Sequence, residues 1–266
     1  MKLLRNLIYA IVLLLFLIAG IVPRYRRLDV LKGFWERLTG AGPAIPQTAR
    51  VAWFHAAGIG ELMLCQLVIE RLRMQHSDLV FAITVFDGEA LQVAREKFPR
   101  DYVSLIPYDF TWAVRRARQR IHPSLFIIAE NDIWPNLISV IGESGTPILI
   151  FNTRMTPREQ TEHRWNGWLI RPALRHVSWW GVVQNEDAQW IETLFQLRHL
   201  QEIMGSLKID GVSREKDSLN VQRLRQMWGF SDSETILVAG STHAPEEEMM
   251  LTVYEQLQPL YPQLRA

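Results

Sequence analysis

Several features that mark common classes of protein are missing from the sequence. Its 266 residues include one cysteine, Cys65, so no disulfide framework can form and a reducing compartment fits. The net charge of +1 provides no overall field that would attract nucleic acid, which we therefore do not expect as a partner. The chain also lacks a His-Glu-x-x-His motif or cysteine cluster for a metal, a G-x-G-x-x-G motif, and a phosphate loop with its lysine.

A long apolar run near the N-terminus stands apart from an otherwise ordinary composition. Residues 7–22 (LIYAIVLLLFLIAGIV) carry no charge and approach the ~20 residues that a spanning helix needs. More basic residues follow the run than precede it, which predicts a membrane anchor over residues 1–23 with the body of the chain in the cytoplasm. A cleaved signal peptide is a rival interpretation, and a monotopic helix lying in one leaflet is another.

Residues 24–49 connect this run to the rest of the chain. The pattern predicts an amphipathic helix with Leu28, Leu31, Phe34 and Leu38 on one side, followed by the linker GAGPAIP. The apolar side of this helix could lie at lipid headgroups or pack on the following domain, and the sequence favours neither.

From residue 50 onward, continuous apolar runs alternate with helical patterns. The apolar runs show no regular polar alternation, which is typical of parallel strands covered on both faces. We therefore predict a doubly wound α/β domain over residues 50–200. A second strand–helix series starts near residue 201, so residues 201–266 are predicted to begin a second Rossmann-like domain.

Three notable stretches follow predicted strands, at the edge where α/β sheets bind their ligands. HAAGIGE (55–61) follows the first strand, AENDIWPN (129–136) the fourth and FNTR (151–154) the fifth. The glycines of the first stretch permit a tight turn and a close approach of a ligand to the backbone. Glu61 would lie in the first turn of a helix, where the helix dipole favours a carboxylate even without a ligand.

Two further polar stretches lie beyond residue 200. GSLKID (205–210) contains Lys208, and GSTHAPEEE (240–248) has the proline and glutamates of a capped helix start. The second stretch is explained without a ligand as a helix N-terminus. With a ligand, it would be an anion site built from backbone N–H groups, Ser241, Thr242 and His243.

The order of these motifs resembles that of the Kdo transferases. WFHAAGIGE, AENDIWPNLI, FNTR, GSLKID and GSTHAPEEE occur in the family's order after an apolar N-terminus. The resemblance implies a GT-B glycosyltransferase that transfers 3-deoxy-D-manno-octulosonic acid (Kdo) from CMP-Kdo to a lipid A precursor in lipopolysaccharide biosynthesis. It also implies an anchored protein on the cytoplasmic face of the inner membrane, and catalysis without a metal or another cofactor.

The resemblance assigns roles to matching positions. Glu61 matches the catalytic carboxylate, which is taken to deprotonate the acceptor sugar hydroxyl. Arg154 is expected to pair with Glu130, with a phosphate or with a sugar carboxylate. Acceptor-binding or cleft roles fall on His55, Gly58, Gly60, Glu130, Asp132, Asn152 and Arg154, and donor-binding roles on Lys208, Ser241, Thr242, His243 and Glu247.

Several positions depart from the family pattern. Gly58 stands where the family has serine, Asp132 where it has a second glutamate, Ser206 where it has asparagine, and residues 83–90 (ITVFDGEA) replace a threonine-rich run. The family's later donor-binding segments have no counterpart before Ala266, so we expect an incomplete donor domain and little or no transferase activity. The alternative is a non-catalytic, membrane-anchored relative that binds a lipid or a partner protein.

Overall fold

A computed structural model describes residues 1–20, 33–197, 201–210, 219–231 and 233–266. The chain divides into two compact units, Met1–Gly211 and Val212–Ala266. The first unit is the larger and contains HAAGIGE, AENDIWPN and FNTR, the three stretches that follow predicted strands.

The first unit is built on a seven-stranded sheet in which every pair of neighbouring strands is parallel. The strand order is β3-β2-β1-β4-β5-β6-β7, so the chain reverses its direction of winding between β1 and β4. That reversal is the topological switch point of a doubly wound sheet. The strands are β1 (Arg50–Ala56), β2 (Leu79–Val85), β3 (Tyr102–Leu105), β4 (Leu125–Ala129), β5 (Ile148–Thr153), β6 (Trp179–Val182) and β7 (Gln201–Ile203).

Helices cover both faces of this sheet, which confirms the predicted α/β class. Consecutive residues of β1 alternate between two apolar clusters, with Trp53 in the cluster beneath α5 to α8 and Phe54 in the cluster beneath α3 and α4. Because both faces are buried, the central strands are mostly apolar along their length. The helices of this unit are α1 (Lys2–Gly20), α2 (Phe34–Thr39), α3 (Ile59–Gln75), α4 (Gly88–Lys97), α5 (Thr111–Ile121), α6 (Pro135–Gly142), α7 (Pro157–Leu174), α8 (Asn185–Phe195) and α9 (Leu207–Asp210).

The border of the first unit differs from the predicted one. We expected the second domain to begin at residue 201, but β7 pairs in parallel with β6, Trp180 opposite Gln201. The first unit therefore continues through α9 and ends at Gly211. The pattern predicted a strand–helix series from residue 201 but assigned it to the second domain, because the sequence does not show which strand β7 pairs with.

The N-terminal run also differs from its prediction. Residues 2–20 form α1, but within the residues that the structure describes no helix is long and apolar enough to cross a membrane, so the spanning anchor expected over 1–23 is not borne out there. Instead, Arg5 on α1 is buried and donates to Ser139 on α6, because its charge needs polar partners that the domain supplies. Residues 21–32, with the start of the expected amphipathic helix, lie outside the described residues.

The second unit, taken by itself, has a two-stranded parallel sheet. The apolar run ETILVAG forms only a two-residue strand, and the stretch GSTHAPEEE leads into a twelve-residue helix as expected. The elements of this unit are α10 (Leu219–Met227), β8 (Thr235–Ile236), α11 (Glu246–Leu257) and β9 (Leu264–Arg265).

Candidate active site

The three stretches singled out in the sequence meet at one edge of the sheet. In the parallel register His55 of β1 lies opposite Ile128 of β4, and Ala129 of β4 lies opposite Phe151 of β5. The loops that follow these strands therefore leave the sheet side by side at the switch point. This placement, predicted from the strand order alone, is where doubly wound sheets bind their ligands.

His55 and Asp132 form the centre of this edge. His55 is fully buried, and its Nε2 lies 2.6 Å from Oδ2 of Asp132. Its Nδ1 lies 3.0 Å from the carbonyl oxygen of Thr84 on the neighbouring strand β2. A carbonyl oxygen only accepts, so Nδ1 carries a proton and donates it to Thr84. The imidazole is thus fixed from both ends.

The charge state of Asp132 follows from its partners. Burial raises the pKa of this carboxyl, but the hydrogen bond and the charge of His55, with the hydrogen bond from Trp134, outweigh burial and hold the pKa below its ordinary value. Trp134 Nε1 donates to Oδ2 of Asp132 at 2.8 Å. Asp132 is therefore an ionised carboxylate that lies against His55 and accepts from Trp134.

Aromatic rings and one arginine line the side of the His55–Asp132 pair. Trp134 stacks on Phe86, the first residue after β2, with ring centroids 5.6 Å apart. The guanidinium of Arg37, on α2, lies 4.6 Å from the centroid of Phe86 and 4.3 Å from that of Tyr108. Arg37 is almost fully buried, and burial lowers the pKa of its guanidinium. These side chains connect the loop that carries Asp132 to α2 and to the end of β3.

Glu61 lies where the sequence predicted, in the first turn of α3. Its Oε2 accepts a hydrogen bond from the backbone N–H of Gly58 at 3.0 Å, so the carboxylate caps its own helix. The glycines are not needed for an unusual turn, because Gly58 has an extended backbone with φ of −133°. A Cβ added at Gly60 would meet no atom within 4 Å, so this glycine leaves open space beside Glu61. The approach of a ligand to this backbone stays a prediction.

Glu130 and Asn152 both adopt a left-handed backbone, each with φ of 58°, at the ends of β4 and β5. Non-glycine residues seldom occupy this region, and such strain collects at functional sites. Asn152 donates from Nδ2 to Oε1 of Glu130 at 3.2 Å and accepts at Oδ1 from the N–H of Leu207 at 2.9 Å. The ammonium of Lys208 lies 2.8 Å from the same Oε1 of Glu130.

Arg154 does not form the pair with Glu130 that was one of its expected partners. Glu130 is paired instead with Lys208, which was expected to face a donor. The side chain of Arg154 is exposed, and no described residue offers its guanidinium a hydrogen bond or an ion pair. Its backbone oxygen is held by Nδ2 of Asn131 at 2.7 Å. A free cation is therefore displayed at the same sheet edge.

The remaining donor-side candidates lie in the second unit. The backbone N–H of His243 donates to Oε2 of Glu246 at 2.9 Å, which caps the start of α11. Ser241 has a left-handed backbone with φ of 58°. Thr242 is half-buried and Glu247 is exposed in the first turn of α11. Within this unit the four candidates are therefore neighbours around one helix start.

Sequence reasoning missed two residues that support the site. Thr84 is a lone polar residue in an apolar strand, and its carbonyl oxygen orients His55. Asp109 follows β3, and its Oδ2 and Oδ1 accept the N–H groups of Asn136 and Leu137 at 3.0 and 2.7 Å. The sequence could have indicated both residues, because each is a polar residue among apolar ones near the carboxyl end of a strand.

An all-parallel doubly wound sheet, with its polar side chains gathered at the switch point, defines an α/β protein of the GT-B-like kind. Among solved structures, the UDP-GlcNAc 2-epimerase from Neisseria meningitidis bound to UDP-GlcNAc matches with a TM-score of 0.57. The match covers 82% of this chain and 64% of that one at 10% sequence identity, so the likeness concerns the fold alone.

The chain belongs to the family of 3-deoxy-D-manno-octulosonic-acid transferases (kdotransferases), whose family model matches residues 32–211. The resemblance seen in the motifs is thereby confirmed. The matched range ends where the first unit ends.

Two relatives show how much of the family the chain covers. The 3-deoxy-D-manno-octulosonic acid transferase of Haemophilus influenzae is 25% identical over 248 residues, which are 91% of this chain and 55% of the relative. The probable mitochondrial 3-deoxy-D-manno-octulosonic acid transferase of Arabidopsis thaliana is 28% identical over 248 residues, 90% of this chain and 55% of the relative. The chain thus spans about half the length of these curated relatives.

Proposed function

We propose that this chain serves in the transfer of Kdo from CMP-Kdo to a lipid A precursor, with Glu61 as the base that activates the acceptor hydroxyl. The observation that carries the proposal is the convergence of three separate polar stretches on the switch-point edge, in a chain of the Kdo transferase family. The hydrogen-bonded pair of His55 and Asp132 and the strained residues Glu130 and Asn152 support it, since all four lie at that edge.

The proposed chemistry is an inverting displacement. The acceptor hydroxyl oxygen forms a bond to the anomeric carbon of Kdo, while the bond from that carbon to the phosphate oxygen of CMP breaks and its electron pair leaves with CMP. The hydroxyl proton passes to Glu61. The N–H of Gly58 holds Oε2 of Glu61 at 3.0 Å, so Oε1 is the oxygen outside that bond and the one that accepts the proton.

The substrates carry phosphate and carboxylate groups, and cations at the site would bind them. Arg154 is the strongest candidate for the acceptor, because its exposed guanidinium has no partner among the described residues. In the proposal, Lys208 leaves its ion pair with Glu130 and binds an anionic group of the donor. Ser241, Thr242, His243 and Glu247 keep the donor-binding roles that the resemblance of their motif implies.

A lipid-linked acceptor calls for contact with a membrane surface, and α1 supplies a suitable face. Leu3, Leu7, Ile11 and Leu14 are exposed along one side of this helix. An exposed tryptophan also lies next to two of the residues that α1 contacts, with Trp112 next to Thr111 on α5 and Trp168 next to Leu169 on α7. Apolar residues flanked by tryptophan suit the lipid–water boundary. We therefore propose that α1 lies in the plane of the inner membrane at its cytoplasmic face.

The test measures Kdo transfer by the protein at its natural length, with CMP-Kdo and tetra-acylated lipid A precursor, by mass spectrometry of the product. Glu61→Gln keeps the cap on Gly58 through its amide oxygen but cannot take the proton, so the rate should fall about 10²–10⁴-fold. Glu70→Gln is the matched control, because Glu70 lies on the same helix and is exposed. Its rate should stay within about twofold of the unsubstituted protein.

Two results would count against the proposal. Equal rates for Glu61→Gln and the unsubstituted protein would leave Glu61 as a helix cap alone. Binding of the lipid A precursor without any transfer would favour the alternative, a non-catalytic relative that binds a lipid.

A further inference from the structure

Helix α6 begins without a cap from its own sequence. The residue before it, Trp134, provides no side-chain hydrogen bond to the first turn, and Pro135 occupies the first helical position. The cap comes instead from Asp109, whose carboxylate accepts the N–H groups of Asn136 and Leu137. The start of this helix therefore depends on residues that are remote in the sequence.

Helix α1 completes that remote support. Nη1 of Arg5 donates to the carbonyl oxygen of Pro135 at 3.2 Å and to Oγ of Ser139 at 3.1 Å. Its Nε and Nη2 donate to the carbonyl oxygen of Leu169 on α7 at 3.1 and 2.6 Å. Arg5 is only 1% exposed, so these bonds are shielded from water. One side chain of α1 thus joins the first turn of α6 to α7.

Asn6 makes a second set of bonds beside Arg5. Its Oδ1 accepts from Nδ2 of Asn136 at 3.0 Å, and from the backbone N–H and the hydroxyl of Thr111 at 3.1 Å each. Asn136 is fully buried, and its Nδ2 also donates to the carbonyl oxygen of Asp109 at 2.7 Å. Loss of the Asn6 acceptor would leave buried donors without a partner.

The first turn of α6 comes directly after the loop that carries Asp132. The loop of residues 130–134 carries Asp132, and the next two residues are Pro135, which accepts a bond from Arg5, and Asn136, which donates one to Asn6. Displacement of this turn would carry the loop with it and separate Asp132 from His55.

We propose that Arg5 and Asn6 of α1 are positioning residues that hold the loop of residues 130–134 in register with His55. Helix α1 is thus an integral part of the site-bearing unit, and a surface that binds its outer face acts on the loop through these two residues. The effect on catalysis rests on the proposed function. The effect on the loop is a property of the chain itself and can be measured without any transfer assay.

The test compares Asn6→Leu, which removes the acceptor at similar size, with Asn6→Asp, which keeps it. Amide hydrogen exchange at residues 130–138 should quicken by roughly three- to tenfold in Asn6→Leu, as expected when an ordinary buried hydrogen bond is lost. The imidazole signals of His55 in NMR spectra should move as well. Both readouts should stay near those of the unsubstituted chain in Asn6→Asp, and Thr111→Val should show the same direction as Asn6→Leu in a milder form.

Lys2→Met is the matched control, because Lys2 lies on the same helix and pairs at the surface with Glu143. It should leave exchange at residues 130–138 and the His55 signals unchanged. Should Asn6→Leu fail to fold, Thr111→Val provides the same readouts. A lowered melting temperature with unchanged His55 signals and unchanged exchange at 130–138 would make α1 a stabilising element only and overturn the proposal.

The transfer assay separates this proposal from the proposed function. Faster exchange in Asn6→Leu together with slower Kdo transfer supports both proposals. Faster exchange with no Kdo transfer by the unsubstituted protein upholds the positioning of the loop and rejects the transferase function. Unchanged exchange rejects the positioning, whatever the transfer assay shows.

Discussion

His55 and Asp132 are 77 positions apart in the sequence, yet Nε2 of the histidine lies 2.6 Å from Oδ2 of the aspartate. The pair joins the end of β1 to the loop after β4, across the switch point of the sheet. Thr84 holds the other ring nitrogen of His55, and Trp134 donates to the same Oδ2 of Asp132. These bonds fix the position of Asp132, for which we expected a role in orienting the acceptor or in supporting the cleft.

The first prediction concerns Asp132 and acid. The folded-state pKa of Asp132 lies below its ordinary value, so its contribution to stability is present above about pH 4 and is lost as the pH falls through the folded pKa. Asp132→Asn should lower the free energy of unfolding at pH 7 by about 1–3 kcal/mol. It should also flatten the loss of stability in acid. Urea denaturation between pH 3 and 8 measures both, and parallel curves for the two proteins would contradict the prediction.

The second prediction concerns Asp109, whose pH dependence has the opposite sign. Burial raises its pKa to about 7, against the lowering effects of the N–H groups of Asn136 and Leu137, the Tyr9 hydroxyl and the Arg5 charge. The folded protein then binds a proton more tightly than the unfolded chain between about pH 4 and 7, so stability from this group is lost as the pH rises across that window.

Asp109→Asn should remove the decline in the free energy of unfolding between about pH 4 and 7, which amounts to at most roughly 4 kcal/mol. The same urea series at pH 4 to 8 measures it. Asp132→Asn and Asp109→Asn serve as controls for each other. The first should change the free energy of unfolding most in acid, and the second should change its decline toward neutral pH. A decline that persists in Asp109→Asn would assign it to another group.

The third prediction concerns the glycine next to Glu61. Gly58 has an extended backbone, and an added Cβ would lie 3.4 Å from Oε2 of Glu61, an ordinary contact. Gly58→Ser, which restores the residue typical of the family, should therefore change the free energy of unfolding by less than about 0.5 kcal/mol. Thermal or urea unfolding measures the change.

Gly40 is the matched control for that substitution. Its φ is +65°, and an added Cβ would lie 1.9 Å from the carbonyl oxygen of Ala113. Gly40→Ser should cost about 3 kcal/mol or more, because both the backbone conformation and the space oppose a side chain. Similar costs at the two positions would show that the turn at Gly58 is tighter than its geometry indicates.

The fourth prediction concerns the exposed face of α1. Leu7→Glu and Leu14→Glu should each weaken binding to vesicles that contain anionic lipid by at least about tenfold, since a leucine that enters an apolar phase contributes about 1.5–3 kcal/mol. Vesicle co-sedimentation measures the binding. Met74→Glu, at an exposed apolar residue of α3, should bind as the unsubstituted protein does. Equal losses in all three variants would point to a general effect of added negative charge.

The sequence predicted the strands correctly where both faces of a strand are buried, because such a strand is a continuous apolar run. The apolar runs of β1, β4 and β5 fixed the order of strands and helices, and parallel geometry then placed Glu61, Glu130 and Asn152 at one edge. That argument needs no side-chain detail, because all parallel strands present their carboxyl ends on the same side.

Pairings between remote residues could not be predicted in this way. Arg5 next to an apolar run looked like the flank of a membrane span, since its partners, Ser139 and the carbonyl oxygen of Leu169, come more than a hundred positions later. Lys208 was assigned to a donor by its motif, and its pairing with Glu130 depends on β7 joining the first sheet, which the pattern did not show. Each miss concerns a contact that exists only once the tertiary fold is complete.

The bond from Arg5 to Leu169 also imposes an order on biosynthesis. The two residues are 164 positions apart, so a ribosome that adds about 5–20 residues per second makes Leu169 roughly 8–30 s after Arg5. During that interval neither the leucines of α1 nor the charge of Arg5 is covered by the rest of the domain. A ribosome-bound chaperone or a lipid surface that shields the leucines would keep the segment from misassociating until α7 emerges and Arg5 acquires its partner.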